Sequence, residues 1–396
     1  MAEQFPEFIP PLVPVNCSPR RCQVGRDQAS HRFLIQRNGA FGDILMGTVI
    51  LPALREAYPN AHLTWVAEHS ERAAIEANPY IDEILVWNGS YWKRMVRRLR
   101  YGPWVGAMAR LRRILRQNRY DVFVSFQPEE WPLLALGSGA SVRVGIFDTF
   151  RRFYGARKTS SYTRLYHHNY AHPNLPDHRI DQYLLTLDAL NVPRPTEARM
   201  SFGYTESQQE TADRFLREHR IAGTRFAVLV PQTTWPTKCW PAERFIGLAD
   251  ALHRAGLRVV LSGSPKEAES IRALAAQMAF EPTVLAGQMT FAEFGALLDR
   301  AALLVSGDTG PMHLAAALQT PYVALFGPTS PRWYGPRTGP GLVLLHPVPC
   351  GPCDQKICPN QGEAHMQCMR LLTLDEVTQA CLKVLEETAP QRVDAR

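Results

Sequence analysis

One stretch of the chain, Ala301–Thr329, combines residue types that suit a phosphate group. Pro311 fits the first position of a helix, because its missing N–H group would have no partner there, and Asp308 or Thr309 is expected to cap that helix. Gly310 lets a ligand approach the backbone closely. The N–H groups at the helix start then form a site for an anion, typically a phosphate. The stretch therefore predicts a diphosphate site, the alternative being a strand–helix–strand crossover that binds nothing.

A lysine in a second loop could serve the same anion. Lys238 lies in the polar segment Pro231–Pro241, just beyond a predicted strand at Phe226–Val230. An ammonium group fixed at the carboxyl end of a strand could meet a phosphate, because open α/β sheets place their ligands at that edge. The alternative is an ordinary surface lysine.

A third group, Asp43, follows a glycine turn near the start of the chain. The apolar pattern His31–Gln36 predicts a strand that leads into Gly39 and Gly42, and a helix is predicted over Ile44–Tyr58. The third glycine of the dinucleotide-binding pattern G-x-G-x-x-G is missing, which disfavours a nicotinamide oxidoreductase. Asp43 is expected either in an active site at the carboxyl end of the strand or as the cap of the helix.

The segment Tyr91–Arg119 carries ten basic residues, Arg97 and Arg98 among them, and no acidic one. A basic helix with interleaved aromatic residues can lie on an anionic membrane surface or bind phosphates, whereas the alternative is a solvated helix face. The net charge of +7 also indicates an acidic partner, which nucleic acid, a membrane or a phosphorylated substrate could each provide.

Four cysteines, Cys350, Cys353, Cys358 and Cys368, form the pattern C-x2-C-x4-C-x9-C. The acidic and proline-rich start of the chain differs from an export signal, so these thiols are expected to be reduced. Clustered reduced thiols favour structural zinc, with packed thiols or a disulfide as the alternatives.

The elements that must position these residues alternate between strand and helix in both halves of the chain, which predicts parallel, doubly wound sheets. The chain has 396 residues, 45% hydrophobic and 20% charged, as expected for two soluble globular domains. We expect a flexible extension over 1–30, a first domain over 31–192, a linker at 192–195 and a second domain over 196–388. A helix is predicted over Ser70–Asn78 and a long loop over Phe147–Asp177.

The chain resembles glycosyltransferase family 9, the ADP-heptose:lipopolysaccharide heptosyltransferases and their relatives. The resemblance covers about residues 32–388 and lies in the terminal cysteine pattern and in three motifs: RNGAFGDILMGTVILPALREAYPNAHLTWVAE, VPQTTWPTKCWPAERF and SGDTGPMHLAAALQTPYVALFGPTSP. It implies the GT-B fold, with two Rossmann-like, doubly wound parallel-sheet domains facing each other across a cleft. It also implies an inverting transfer of a heptose from a nucleotide diphosphate, with no metal or other cofactor required for catalysis.

The resemblance further implies roles for particular residues. Asp43 matches the family's base on the acceptor hydroxyl, and Gly39 and Gly42 lie beside that acceptor. Lys238 matches the group that stabilises the departing diphosphate. The other residues implied at the nucleotide and diphosphate are Thr233, Thr234, Glu267, Met289, Asp308, Thr309, Gly310, Pro311, Met312 and His313.

The acceptors implied by the resemblance are phosphorylated, Kdo-bearing glycolipids at the inner face of the cytoplasmic membrane. Arg97, Arg98 and Arg151 would bind such an acceptor, and the protein would be cytoplasmic and peripheral to the anionic membrane surface, with no nucleic-acid partner. Two alternatives stay open. A nucleotide-sugar epimerase of the same fold would need no acceptor, and a basic nucleic-acid-binding protein would not need Asp43.

Overall fold

The structure is a computed structural model that describes residues 14–16, 31–88, 94, 101–128, 132–147, 165–171 and 175–389. The chain forms two compact units. The first contains residues up to 176 together with 180–196, and the second contains residues 177–179 together with those from 197 onward. The division after residue 196 lies beside the predicted linker at 192–195. Arg97, Arg98 and Arg151, three of the predicted acceptor-binding residues, lie outside the described residues.

The first unit has one sheet with helices packed against it. Its strands are β1 (Pro14–Asn16), β2 (Arg32–Gln36), β3 (His62–Glu68), β4 (Glu83–Trp87), β5 (Val122–Ser125), β6 (Val142–Phe147) and β7 (His168–Ala171). Its helices are α1 (Phe41–Gly47), α2 (Leu51–Ala57), α3 (Tyr101–Asn118), α4 (Pro132–Gly137) and α5 (Arg179–Ala189). The strand order is β1-β4-β3-β2-β5-β6-β7, with β1 antiparallel to β4 and the other neighbours parallel.

The second unit has a six-stranded, fully parallel sheet. Its strands are β8 (Phe226–Val230), β9 (Arg258–Leu261), β10 (Thr283–Val284), β11 (Leu303–Gly307), β12 (Tyr322–Phe326) and β13 (Gly341–Leu345). Its helices are α6 (Glu206–Glu218), α7 (Ala242–Arg254), α8 (Ala268–Ala275), α9 (Phe291–Leu298), α10 (Gly310–Leu318), α11 (Pro331–Tyr334), α12 (Gln367–Arg370) and α13 (Leu374–Thr388). The strand order is β10-β9-β8-β11-β12-β13.

The central strands are continuous apolar runs because both faces of each sheet are covered. Phe33, Leu34 and Ile35 on β2 are fully buried, and so are Leu303 and Val305 on β11. Such runs are typical of parallel sheets between layers of helices. Because the strands are buried, the side chains that can contact a ligand lie in the loops at the strand ends.

In each unit the chain adds strands first on one side of a central strand and then on its other side. In the first unit the chain runs from β2 outward through β3 and β4 and then returns to β5 on the other side of β2. In the second unit it runs from β8 through β9 and β10 and returns to β11 beside β8. A reversal of this kind opens a crevice at the carboxyl ends of the two central strands, which is where such sheets bind ligands.

Three predicted elements differ from the structure. Residues Ser70–Asn78 form only a single 3-10 turn at Arg72–Ala74, because Pro79 directly afterwards cannot continue a helix. The predicted loop over Phe147–Asp177 contains β7, which pairs with β6. Within the predicted flexible extension, Pro14–Asn16 forms an edge strand on β4, and the rest of that extension lies outside the described residues.

No helix in the described ranges is both long enough and apolar enough to cross a lipid bilayer.

Candidate functional site

The predicted diphosphate site lies at the carboxyl edge of the second sheet, where the chain reverses between β8 and β11. Lys238, in the loop after β8, places its Nζ 2.7 Å from Oδ2 of Asp308, which follows β11. The hydroxyl of Thr329, in the loop after β12, donates to the same Oδ2 at 2.7 Å. The Asp308 side chain is only 6% exposed. One buried carboxylate therefore joins three loops. It also neutralises the ammonium group of Lys238, which was predicted from the sequence to meet a phosphate.

A glycine permits the close packing of two of these loops. A Cβ atom at Gly307, the last residue of β11, would lie 2.8 Å from the backbone oxygen of Lys238 and 3.3 Å from the methyl group of Thr233. Cβ atoms essentially never approach a backbone oxygen that closely. Gly307 thus lets the Lys238 loop lie directly against the end of β11.

The start of α10 is not capped by its own residues. Its N-cap is Thr309, yet no side chain accepts a hydrogen bond from the first turn, contrary to the cap predicted at Asp308 or Thr309. The reason at Asp308 is that its carboxylate is held by Lys238 and Thr329. Three other helices of this unit are capped by threonine side chains, those of Thr205, Thr290 and Thr373. The N–H groups of Thr309 and Gly310 are therefore open to an anionic ligand, whereas Pro311 has none and that of Met312 bonds to Thr309 O.

Two threonines share the Lys238 loop. Thr233 donates its hydroxyl to the backbone oxygen of Trp235 at 2.7 Å, so that its side chain shapes the loop. Thr234 is exposed and is the more accessible of the pair.

The loops of Glu267 and Met289 lie side by side at the carboxyl ends of β9 and β10. Gly287 N donates to Gly263 O at 3.1 Å, which joins the two loops. Oε2 of Glu267 accepts from Ser264 N at 2.7 Å. The structure therefore places next to each other the loops of two residues that the family resemblance implies at the nucleotide.

Two residues of α10 face inward. The side chain of Met312 is fully buried, and its N–H donates to Thr309 O at 3.1 Å. The side chain of His313 is 4% exposed. Pro311 and Gly310, in contrast, are partly exposed at the helix start. The accessible part of the motif is thus Thr309–Pro311, whereas the side chain of Met312 packs in the core.

In the first unit, Asp43 lies inside a helix. The helix predicted from Ile44 begins at Phe41, so Asp43 occupies its first turn, and the N-cap is Ala40, without a side-chain hydrogen bond. The expected capping role of Asp43 is therefore wrong. Its Oδ2 lies 2.9 Å from Nη2 of Arg37, whose side chain is 6% exposed. The ion pair with Arg37 therefore fixes the position of the Asp43 carboxylate.

The loop before Asp43 is fixed at the point of chain reversal between β2 and β5. Asn38 N donates to Oε1 of Gln127, which follows β5, at 3.0 Å. Gly39 has φ of +132°, a backbone conformation that residues with a side chain rarely adopt. Gly42 is buried inside the first turn of α1. The two glycines therefore shape the loop that presents Asp43.

Helix α3 gives the described part of the basic segment a clear orientation. Ala107, Leu111 and Leu115 are buried in the core of the first unit. The opposite face is exposed, and a groove of about 630 Å³ runs along it, lined by Ala109, Arg112, Arg113, Arg116, Gln117 and Arg119. The basic face is therefore a concentrated positive surface on a helix anchored in the core.

The four clustered cysteines lie near one another as free thiols. Burial and the neighbouring thiols of Cys353, Cys350 and Cys358 raise the pKa of Cys368 to about 11. Among the residues that the structure describes, no three His, Cys, Asp or Glu side chains are arranged to hold a metal ion. The geometry therefore offers no ready ligand set, and structural zinc stays a prediction that metal analysis of the purified protein can test.

Sequence reasoning did not single out Arg37, Gln127 or Thr329. Arg37 directly follows β2, Gln127 is the second residue after β5 and Thr329 is the third after β12, so each lies at the carboxyl edge of its sheet. That position was the available signal, because ligand-binding residues of doubly wound sheets concentrate there.

The chain was compared with known proteins. The sequence profile of glycosyltransferase family 9 (heptosyltransferase) matches residues 108–364. Lipopolysaccharide heptosyltransferase 3 of Escherichia coli is 28% identical over 298 residues, which cover 74% of this chain and 83% of that protein. Lipopolysaccharide heptosyltransferase 1 of Pseudomonas aeruginosa is 28% identical over 341 residues, covering 83% of this chain and 88% of that protein.

Solved structures show the same fold. A glycosyl transferase of family 9 from Veillonella parvula superposes with a TM-score of 0.74 at 24% identity, over 90% of this chain and 98% of the other. The Escherichia coli heptosyltransferase WaaC with ADP superposes with a TM-score of 0.68 at 23% identity, over 89% of this chain and 99% of the other. The two parallel-sheet units are thus those of the GT-B fold. Since the family profile also spans more than half of the sequence, the chain belongs to glycosyltransferase family 9, the heptosyltransferase family.

Proposed function

We propose that this glycosyltransferase moves a heptose from ADP-heptose to the core of lipopolysaccharide, with inversion at the anomeric carbon. The observation that carries the proposal is the site between β8 and β11, where Lys238 stands beside the uncapped start of α10. An ammonium group and free backbone N–H groups suit a diphosphate. The sugar and the acceptor follow from the relatives, which are lipopolysaccharide heptosyltransferases.

The reaction assigns different tasks to the two units. Asp43 accepts the proton of the acceptor hydroxyl while the oxygen of that hydroxyl forms a bond to the anomeric carbon. The bond between that carbon and the diphosphate oxygen breaks, and ADP leaves with the electron pair. Lys238 and the N–H groups of α10 meet the negative charge that grows on the leaving diphosphate. Since these groups supply the charge, the proposed transfer requires no metal cofactor.

The acceptor side of the proposal rests on α3. Its exposed arginines form a positive surface that suits a phosphorylated glycolipid or the anionic face of a membrane. The protein would then act in the cytoplasm, at the inner face of the cytoplasmic membrane, and Arg97, Arg98 and Arg151 would also bind the acceptor.

The proposal is tested by ADP release from ADP-heptose in the presence of a Kdo-bearing lipid A acceptor, with and without EDTA. Acceptor-dependent release that survives EDTA is the expected result. Asp43→Asn is expected to lower kcat by about 10²–10⁴-fold, the usual loss for a general base. ADP binding should persist in this variant, since Asp43 belongs to the other unit.

Asp375→Asn is the matched control, because Asp375 is an exposed carboxylate on α13. It should leave the rate unchanged. Release of ADP without any acceptor, or formation of an isomerised nucleotide sugar, would contradict the proposed transfer.

A further inference from the structure

The segment Cys350–Cys358 packs directly against the donor site. The hydroxyl of Thr237, which precedes Lys238, donates to the backbone oxygen of Gln355 at 2.6 Å. The N–H group of Asp354 donates to the backbone oxygen of Pro328 at 2.8 Å. The segment is therefore bonded to two of the three loops that the Asp308 carboxylate joins.

The indole ring of Trp235, in the Lys238 loop, lies near a lysine of the segment as well as near Lys238. Nζ of Lys238 lies 4.5 Å from the centre of the Trp235 ring, and Nζ of Lys356 lies 5.4 Å from the same centre. Both distances allow attraction between an ammonium group and the electron-rich face of an indole. The Trp235 backbone is fixed as well, because its oxygen accepts from Thr233 Oγ1 at 2.7 Å and from Lys238 N at 2.9 Å. One rigid aromatic side chain therefore holds two cations near the diphosphate site.

The two cations differ in their charge balance. Lys238 forms an ion pair with Asp308, so the two side chains together add no net charge to the site. Lys356 is exposed, and it forms no ion pair with any residue that the structure describes. A nucleoside diphosphate brings more than one negative charge, and a single balanced lysine does not match it.

We propose that Lys356 is a second cation for the donor's diphosphate and that Trp235 is the platform that positions both lysines. This inference rests on the proposed nucleotide-diphosphate donor and adds to it a specificity residue from the cysteine segment. Lys238 and the start of α10 already interact with part of the ligand's negative charge. Lys356 adds a further positive charge, so it favours ligands with two phosphates over ligands with one.

The test measures binding of ADP and AMP to the full-length protein by calorimetry at two salt concentrations. Lys356→Gln is expected to weaken ADP binding by about 5- to 20-fold and AMP binding by about twofold or less, since the added interaction is charge–charge. The loss should shrink at high salt, and Lys356→Arg should retain most of the affinity. Lys383→Gln, which removes an exposed lysine of α13, is the matched control and should change neither ligand's affinity.

Trp235 is tested separately, because it acts through the lysines. Trp235→Phe should keep ADP binding within about threefold of wild type, whereas Trp235→Leu should weaken it as much as Lys356→Gln. Equal losses for ADP and AMP in Lys356→Gln, or no loss at all, would overturn the inference while leaving the proposed function intact. Failure of the wild-type protein to bind ADP would overturn the proposed donor, and the inference with it.

Discussion

Asp308 shows how a single side chain organises the predicted diphosphate site. Its carboxylate is bonded to Lys238 and to Thr329, so it is not available to cap α10. Buried charges require such partners, because an unpaired carboxylate in the interior is costly. The same contacts keep Lys238 at a fixed place before any ligand arrives.

Gly307→Ala tests this organisation at the level of one atom. The new Cβ would stand 2.8 Å from the backbone oxygen of Lys238, so the loop after β8 must shift away from β11. We expect ADP affinity to fall by about tenfold, a change of about 1.4 kcal/mol, because Lys238 moves with its backbone. Calorimetric titration with ADP measures the change.

The control for that substitution is Gly106→Ala. A Cβ at Gly106, in the exposed part of α3, would meet no atom within 4 Å. It should therefore leave ADP affinity unchanged and stabilise the helix slightly. If Gly307→Ala bound ADP as tightly as this control, the loop could shift without a loss of ADP affinity. The close packing at Gly307 would then not be needed for ADP binding.

Among the elements, α3 combines a buried apolar face with an exposed basic one. A triple variant with glutamine at Arg112, Arg113 and Arg116 removes three charges without changing the core, since all three side chains are exposed. We expect binding to vesicles that contain anionic lipid to weaken by more than tenfold at low salt, because each basic residue near such a surface contributes about 1 kcal/mol. Vesicle co-sedimentation at two salt concentrations measures this loss.

The matched control removes the same number of charges from the other unit. Arg214, Arg217 and Arg220 are exposed on and just after α6. Their replacement by glutamine should leave vesicle binding nearly unchanged. Equal losses in the two triple variants would mean that net charge, rather than the face of α3, drives association.

A second element-level prediction concerns the pairing of β3 and β4. Burial acts to raise the pKa of Glu83 on β4, but the hydrogen bond and charge of His62, with Thr64 and Arg32, outweigh it and hold the pKa below its ordinary value. A carboxyl group with a lowered pKa in the folded state contributes stability above its unfolded pKa, and that stability is lost as the pH falls through its folded pKa.

Glu83→Gln is therefore expected to lower the melting temperature of the first unit at pH 7 by about 2–4 °C, for a loss of about 1 kcal/mol. As the pH falls below the ordinary pKa of a glutamate, about 4.3, protonation removes this contribution, so the difference should narrow. Calorimetric melting at pH 7 and pH 3.5 measures both values. Glu56→Gln, an exposed change on α2, should show no such dependence, and a difference that widened in acid would contradict the assigned cause.

At the scale of the whole molecule, the sequence predicts the architecture more closely than the site. Phe226–Val230 is a strand with the predicted bounds, because a buried parallel strand needs a continuous apolar run that stands out in the sequence. The GT-B fold and the family are confirmed. The bounds of the 3-10 turn near Arg72 and of β7 were missed, since short elements depend on tertiary pairing rather than on local pattern.

The site was predictable in its loops and not in its contacts. The turns after β8 and β11 follow from strand order, which places Lys238 and Asp308 at one edge. The partners of Asp308, and the pairing of Asp43 with Arg37, depend on side-chain directions across loops that lie far apart in the chain. Local sequence carries no signal for such pairs, so the caps predicted at Asp308 and Asp43 were wrong.

The bare start of α10 links catalysis to the order of the fold. Under the proposed function, the diphosphate completes this helix in the way that Thr205 completes α6, and the completion is undone each time ADP departs. The N-terminal turn of α10 would then become more stable when the diphosphate binds and less stable when ADP leaves, once per turnover. Amide hydrogen exchange at Thr309 and Gly310 would slow with ADP bound, so that substrate occupancy could be followed as a change in the local stability of one helix end.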